Sequence, residues 1–247
     1  MLTEKRQEEI VRLVQERESI TVAELKDILQ TSESTIRRDI TSLDKEGRLT
    51  KVFGGAIALR TAQIVNQELS VVQKQELQTT EKQAIAQYAA SLIEPDDCVY
   101  LDAGTTTEMI IDFLKEYDVI YVTNGITHAR KLMNAGFKVH LIGGEIKAVT
   151  EAVVGEEALE QLDKYNFTKG FFGTNGLSRR QGYTTPDGSE ALVKKTALRQ
   201  CAKAYVLADR AKFDEVSSVT FAAYSDAQII TDSIPDHYKK YGNIIQV

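Results

Sequence analysis

Two groups of residues in this chain have types and spacing suited to chemistry. The first is the run Ser34-Thr35-Ile36-Arg37-Arg38-Asp39-Ile40-Thr41-Ser42-Leu43. At about 100° per residue, Ile36, Ile40 and Leu43 share one helix face, and that face must be buried. Ser34, Arg38 and Thr41 project from the opposite face, with Thr35, Arg37 and Ser42 beside them. Guanidiniums grip guanine edges or phosphates in a fork, and short hydroxyls donate to phosphate oxygens. That is the chemistry of reading DNA, and Lys51 adds a further cation just beyond. An ordinary amphipathic surface helix would show the same pattern, so its neighbours must decide.

The second group lies in five loops rich in small polar residues: Asp102-Ala103-Gly104-Thr105-Thr106-Thr107, Thr123-Asn124-Gly125, Gly143-Gly144-Glu145, Gly173-Thr174-Asn175-Gly176 and Asp209-Arg210-Ala211-Lys212. Each follows an apolar, β-rich run. In open α/β sheets, ligands bind beyond the carboxyl ends of the strands. The first loop offers a glycine and three hydroxyls ahead of a helix, so N–H and O–H donors can face an anion. It matches neither the G-x-x-x-x-G-K-[ST] loop nor the G-x-G-x-x-G fingerprint, so ATP and dinucleotides are not indicated. One such loop is an ordinary turn, but five at one edge favour a polar pocket.

The elements that must position these groups follow from periodicity and capping. Thr3 to about Arg17 predicts a first helix with Ile10, Leu13 and Val14 as its seam, and Ser19-Ile20-Thr21 leans to β. Thr21-Val22-Ala23-Glu24 is a capping box for a second helix. The recognition helix follows with Ser32 as N-cap and Gly47 at its C′ position. Residues 48–59 read as two short strands around Gly54-Gly55. This order is that of a winged helix-turn-helix, whose third helix enters the major groove while the wing contacts phosphate or the minor groove. We therefore expect a DNA-binding domain over residues 1–58, a linker over 59–80, and an α/β domain over 81–247. In the last, strands at 98–101, 119–123, 138–142, 167–172, 204–207, 228–231 and 244–247 alternate with helices at 107–116, 126–135, 156–163 and 189–202. That alternation implies a parallel sheet covered on both faces.

Composition limits the alternatives. The chain has 247 residues and a net charge of −6. Residues 1–60 hold 11 basic and 11 acidic side chains, so any field that attracts DNA is local to residues 37–51. No apolar run approaches the ~20 residues of a membrane span, and the first residues lack the apolar stretch of a secretory signal, so a cytoplasmic protein is expected. Cys98 and Cys201 form no framework, and His128, His140 and His237 are scattered, so neither a metal nor a cofactor is expected.

The runs Ser34 to Ile40, Leu43, Gly47 and Gly54-Gly55-Ala56 resemble the N-terminal signature of the DeoR family of bacterial transcriptional regulators. Glu81-Lys82, Leu101 to Thr107, Thr123-Asn124-Gly125, Ile142 to Glu145, Phe172 to Gly176, Gly182 to Asp187, Glu190, Lys194 and Leu207 to Phe213 are similar to its sensor domain. Within that family the chain resembles the repressors of sugar phosphotransferase operons, such as the fructose or lactose operon repressors. Lys51-Val52-Phe53 departs from the family, which usually carries an Arg and a His or Arg there. The resemblance implies a C-terminal α/β domain similar to ribose-5-phosphate isomerase, which binds a phosphorylated sugar. It implies a repressor acting on operator DNA, and we expect it to be a homo-oligomer. For such an effector, Gly104, Thr105, Thr106 and Thr107 can supply neutral donors, and Lys194 and Lys212 cations, with Lys82 a further candidate. Asp187, Glu190 and Asp209 can accept from sugar hydroxyls, and Asp102, Thr123, Asn124, Gly143, Gly144, Thr174 and Asn175 complete the expected pocket. Glu190 and Lys194 are also spaced as an exposed i,i+4 pair.

A second reading is a sugar-phosphate isomerase or deaminase with an appended helical domain. Those reactions need a side chain to move a proton beside a carbonyl. The isomerase has an acidic Asp-Gly-Ala-Asp run about where this chain has Gly173-Thr174-Asn175-Gly176, and neither Thr nor Asn takes a proton near neutrality. Asp102, Asp187 and Glu190 keep the enzyme reading open.

Overall fold

The computed structural model describes residues 2–58, 63–64, 73 and 77–247. The chain forms two compact units, Met1–Ala62 and Gln63–Val247.

The first unit contains α1 (Thr3–Arg17), β1 (Ser19–Thr21), α2 (Val22–Leu29), α3 (Glu33–Lys45), β2 (Thr50–Val52) and β3 (Gly55–Ile57). The capping box closes as its sequence implies. The Thr21 Oγ1 accepts from Glu24 N at 3.2 Å, and Glu24 Oε2 accepts from Thr21 N at 2.8 Å. Ser32 Oγ accepts from Thr35 N at 3.2 Å to start α3, and Gly47, at φ +66°, follows its end. The three strands pair antiparallel in the order β1-β3-β2. Gly55 is required there, because a Cβ would stand 2.3 Å from the Ile20 carbonyl oxygen. Ile10, Leu25, Ile36, Ile40 and Leu43 are almost wholly buried between the helices and the sheet. Each contributes about 1.5–3 kcal/mol by leaving water. One acid of α3 also turns inward: Asp39 is 1% exposed. Arg6 of α1 clamps it, donating from Nε to Oδ2 at 2.6 Å and from Nη2 to Oδ1 at 3.2 Å.

The second unit is built on a seven-stranded, all-parallel sheet. Its strands are β5 (Cys98–Leu101), β6 (Ile120–Thr123), β7 (Val139–Leu141), β10 (Phe167–Gly173), β13 (Cys201–Leu207), β16 (Gln228–Thr231) and β17 (Ile244–Gln246), in the spatial order β17-β16-β13-β10-β5-β6-β7. Alternate strand residues feed two cores. Tyr100, Val122, Phe172 and Val206 face α7 (Glu156–Leu162) and α8 (Gly188–Arg199). Leu101, Tyr121, Phe171 and Tyr205 face α4 (Thr79–Ser91), α5 (Thr105–Ile110) and α6 (Ile126–Asn134). Burial on both faces explains why these strands read as continuous apolar runs. The strand order reverses between β5 and β10, and that crevice is where this class of sheet places ligands.

The structure departs from the sequence expectations at several points. The helix expected over 107–116 is α5, which ends at Ile110 and continues as a 3-10 turn, Ile111–Phe113. The helix expected over 189–202 ends at Arg199, because Cys201 already pairs with Phe167 as the first residue of β13. A hairpin, β8 (Glu145–Lys147) with β9 (Ala152–Val154), was not anticipated. Neither was a three-stranded antiparallel sheet of β11 (Gly176–Ser178), β12 (Gly182–Thr185) and β15 (Val219–Ala222). These strands are three or four residues long, too short for a period of two to register. Within the expected linker, residues 59–62, 65–72 and 74–76 lie outside the described residues. Its Gln63–Ile64 form β4, which pairs in parallel with β14 (Glu215–Val216), and Thr79 begins α4. Among the described residues, no helix is long and apolar enough to cross a membrane.

Candidate DNA-reading surface and effector site

On α3, Ser34, Arg37 and Arg38 are exposed, and Thr35, Thr41 and Ser42 are half-buried. Arg37 pairs with Glu33 at 3.5 Å. Arg38 has no ion-pair or hydrogen-bond partner among the described residues. Lys51 is on β2, yet its Nζ donates to Thr41 Oγ1 at 2.8 Å and its backbone N–H to Asp44 Oδ1 at 3.0 Å. The wing strand is thereby fixed against α3. Ser42 donates to Glu46 at 3.0 Å, while Ser34 and Thr35 share hydrogen bonds with the capping Ser32. All seven expected DNA-contacting residues therefore belong to one unit, on α3 and the adjoining wing strand. Phe53, at the turn between the wing strands, is fully exposed.

In the second unit, the loops expected to line a pocket do follow the carboxyl ends of sheet strands. Asp102, just past β5, is 1% exposed. Its Oδ2 accepts from Lys194 Nζ and, at 2.9 Å, from the backbone N–H of Gly173 at the end of β10. Lys194 Nζ lies 3.3 Å from the Gly173 carbonyl and 5.7 Å from the Phe221 ring centroid. This buried pair spans the β5/β10 crevice. Burial holds the Asp102 carboxyl above its ordinary range, and Lys194 and the Gly173 N–H offset this only in part.

Glu190 and Lys194 are both buried on α8, so they are not an exposed i,i+4 pair. Glu190 instead accepts from Lys147 Nζ of β8 at 3.2 Å and from Thr150 Oγ1 at 2.5 Å. Asp187 caps α8, accepting from Glu190 N at 2.9 Å, and pairs with Lys147 at 3.2 Å. Burial opposes ionisation of Asp187, but the N–H of Glu190 and the Lys147 ammonium outweigh it and lower its pKa.

Other loop residues spend their polar atoms within the protein. Thr107 Oγ1 lies 2.5 Å from the Asp102 carbonyl, 2.8 Å from the Gly104 carbonyl and 3.1 Å from His128 Nε2. Burial pushes His128 down to about 3, so its imidazole is neutral near pH 7. Gly104 precedes α5, with Thr105 buried and Thr106 half-buried behind it. Asn124 Oδ1 accepts from Tyr100 OH and Ala103 N, both at 2.9 Å, while its amide donates to the Val153 carbonyl at 3.1 Å. Thr123 Oγ1 accepts from Gly125 N at 3.0 Å. Gly143 N donates to Gln161 at 3.0 Å, and Gly144 packs against the Val154 carbonyl where a Cβ would stand 2.5 Å away. Thr174 Oγ1 donates towards the Gly176 and Thr184 carbonyls at 2.8 and 3.1 Å, and Asn175 Oδ1 accepts from Thr185 at 3.4 Å. Asp209 is buried, accepts from Ala211 N at 3.0 Å, and starts the 3-10 turn that carries half-buried Lys212. Lys82, on α4, is buried.

Three groups therefore form: Asp102 with Gly173 and Lys194; Gly104 and Thr107 with His128; and Asp187 and Glu190 with Lys147. Sequence reasoning missed Lys147, Thr150 and His128. Lys147 belongs to a hairpin with no pattern to announce it, and His128 comes to the loop through the packing of α6 against β6 and β7. Among the described residues, no three His, Cys, Asp or Glu side chains are grouped as metal ligands.

Comparison with known proteins agrees with this layout. A family model described as the DeoR-like helix-turn-helix domain matches residues 6–62. A second, described as the DeoR C terminal sensor domain, matches residues 77–233. The HTH-type transcriptional regulator FruR of Bacillus subtilis (strain 168), itself called uncharacterized, is 43% identical over 94% of this chain and 91% of its own. The lactose phosphotransferase system repressor of Streptococcus mutans is 34% identical over 99% of this chain and 100% of its own. Among solved structures, ribose 5 phosphate isomerase A from Neisseria gonorrhoeae covers 56% of this chain and 54% of its own, at 15% identity and a TM-score of 0.41. The full-length sorbitol operon regulator SorC from Klebsiella pneumoniae covers 91% and 95%, also at 15% identity and 0.41. With both of its domains matched in order, and relatives above 30% identity along nearly its whole length, the chain belongs to the DeoR family of transcriptional regulators.

Proposed function

We propose that this regulator represses a sugar uptake or catabolism operon, and that a phosphorylated sugar bound at the carboxyl edge of the parallel sheet sets its hold on operator DNA. The observation that carries the proposal is the buried Lys194–Asp102 pair at the β5/β10 crevice, bordered by the Gly104–Thr107 and Thr174–Asn175 loops and by α8. The names of the lactose phosphotransferase relatives support the choice of ligand class. In this reading Lys212 meets the phosphate together with donors of the 104–107 loop, and Asp209, Asp187 and Glu190 take sugar hydroxyls. Thr123, Asn124, Gly143 and Gly144 hold the loops in place.

Ser34, Thr35, Arg37, Arg38, Thr41, Ser42 and Lys51 contact the operator, with Arg38 central. One such module buries a small interface on DNA, so a homo-oligomer engaging paired half-sites is expected. The setting is the cytoplasm, where operator and sugar phosphate meet. No turnover is expected. The Thr174 hydroxyl is committed to backbone carbonyls, and the buried acids Asp102 and Glu190 are each held by a lysine.

The test is an operator-binding titration with and without hexose and pentose phosphates, on wild type and Lys212→Ala. Wild type should shift about 5–150-fold with the cognate ligand, the usual range of coupling between sites. Release is the expected direction, since induction by a pathway intermediate is the simplest circuit. Lys212→Ala should bind DNA normally and lose the shift. A variant that responds as wild type does removes Lys212 from the site.

A further inference from the structure

The charged groups of the sheet edge are unevenly divided. The inference from that division rests on the sugar-phosphate reading above. The Lys147 ammonium stands 3.2 Å from both Asp187 and Glu190. The three side chains are 18%, 31% and 10% exposed, so they sit at a rim that water only partly reaches. The hairpin carrying Lys147 is tied down along its turn and second strand: Val153 N donates to the Asn124 carbonyl at 2.7 Å, and Ile126 N to the Glu151 carbonyl at 3.1 Å. Lys147 is therefore held in place, one helical turn along α8 from the Lys194–Asp102 pair.

Among the described residues, two carboxylates and one ammonium leave this cluster with a net negative charge, and the neighbouring Lys194–Asp102 pair adds none. A phosphate dianion is repelled there. A polyol is not, because carboxylates only accept, an ammonium only donates, and each hydroxyl does both. We propose that Lys147, with Asp187 and Glu190, reads the hydroxyl pattern of the sugar and so determines effector specificity, while the phosphate is directed away towards Lys212. An ion cluster that merely pins the hairpin to α8 would affect all ligands alike, and this separates the two roles.

The experiment measures binding to the full chain by calorimetry, for wild type, Lys147→Met and Lys147→Arg. The probes are inorganic phosphate, the 6-phosphates of glucose, mannose and galactose, and fructose 1- and 6-phosphate. Lys147→Met should weaken the best sugar phosphate by about tenfold or more, the loss of one charge-assisted hydrogen bond. It should also narrow the margin between epimers, with inorganic phosphate unchanged. Lys147→Arg keeps the charge but moves the donors, so it should reorder the epimers; it carries the test if the methionine variant does not fold. Where inorganic phosphate binds too weakly to measure, the epimer ratio decides alone. Equal losses for all ligands, or an unaltered epimer ratio, overturn the inference. If the ratio is unaltered while Lys212→Ala still abolishes the response, the effector site stands and only the role of Lys147 falls. No binding of any sugar phosphate to wild type overturns both.

Discussion

Replacing Asp39 with Asn should unfold the DNA-reading unit more readily while leaving the outer surface of α3 chemically untouched. The Asp39 side chain is 2% exposed and that of Arg6 10%, and the two share two hydrogen bonds. Breaking a buried pair by removing one charge costs about 3–5 kcal/mol, because the partner stays desolvated. Water reaches part of Arg6, so the low end, about 3 kcal/mol, applies. A unit of this length, Met1–Ala62, holds only about 3–9 kcal/mol in total at the usual 0.05–0.15 kcal/mol per residue. The loss is therefore at least a third of its stability. Urea unfolding followed by far-ultraviolet circular dichroism reads this directly. At a slope near 1 kcal/mol per molar, the first transition should move about 3 M towards water while that of the sensor unit stays fixed. The double variant Arg6→Met with Asp39→Leu should recover most of the loss, since an apolar pair of similar bulk avoids the desolvation. A cost below about 1 kcal/mol for Asp39→Asn, or a double variant no better than the single, would refute the account.

Further outcomes follow from other sites. His128 has its pKa pushed from 6.5 down to about 3 by burial, so its contribution to stability is complete above pH 6.5 and drains away as pH falls towards 3. One extra proton bound by the unfolded chain gives a slope of up to about 1.4 kcal/mol per pH unit. Urea titrations of wild type and His128→Gln between pH 6.5 and 4.5 should therefore converge by about 2–3 kcal/mol; parallel curves would remove His128 from the argument. Arg38→Ala should cost about 1–3 kcal/mol in operator affinity at fixed salt, with the unfolding midpoint unchanged, because the guanidinium is exposed. Unaltered affinity in a gel-shift or anisotropy titration would mean that α3 does not read DNA through Arg38.

Local signals were legible in the sequence, and distant pairings were not. Ile36, Ile40 and Leu43 announced the buried face of α3, and Ser32 and Gly47 its ends, because caps and period act within a few residues. The apolar runs of the parallel sheet were equally plain, since burial on both faces removes any polar alternation. The pairing of Arg6 with Asp39, 33 residues apart, leaves no local trace. The same holds for Asp102 and Lys194, separated by 92. Sequence spacing could match Glu190 only with Lys194, whereas the fold gives each a partner from another element. The hairpin that delivers Lys147 was invisible because two three-residue strands carry too little pattern.

The sheet order also has a consequence for how the chain is made. β5 lies inside the sheet between β6 and β10, and Leu101 pairs with Phe171, 70 residues later. At a synthesis rate of about 5–20 residues per second, the ribosome supplies that neighbour roughly 4–14 s after β5 emerges. During that interval one edge of an apolar strand has no native partner, which is the condition in which strands pair wrongly. The first unit, whose strands and helices all lie within 62 residues, has no such wait. Slow codons between β7 and β10 would lengthen the exposure, and nascent-chain chaperones would meet this protein chiefly between those two strands.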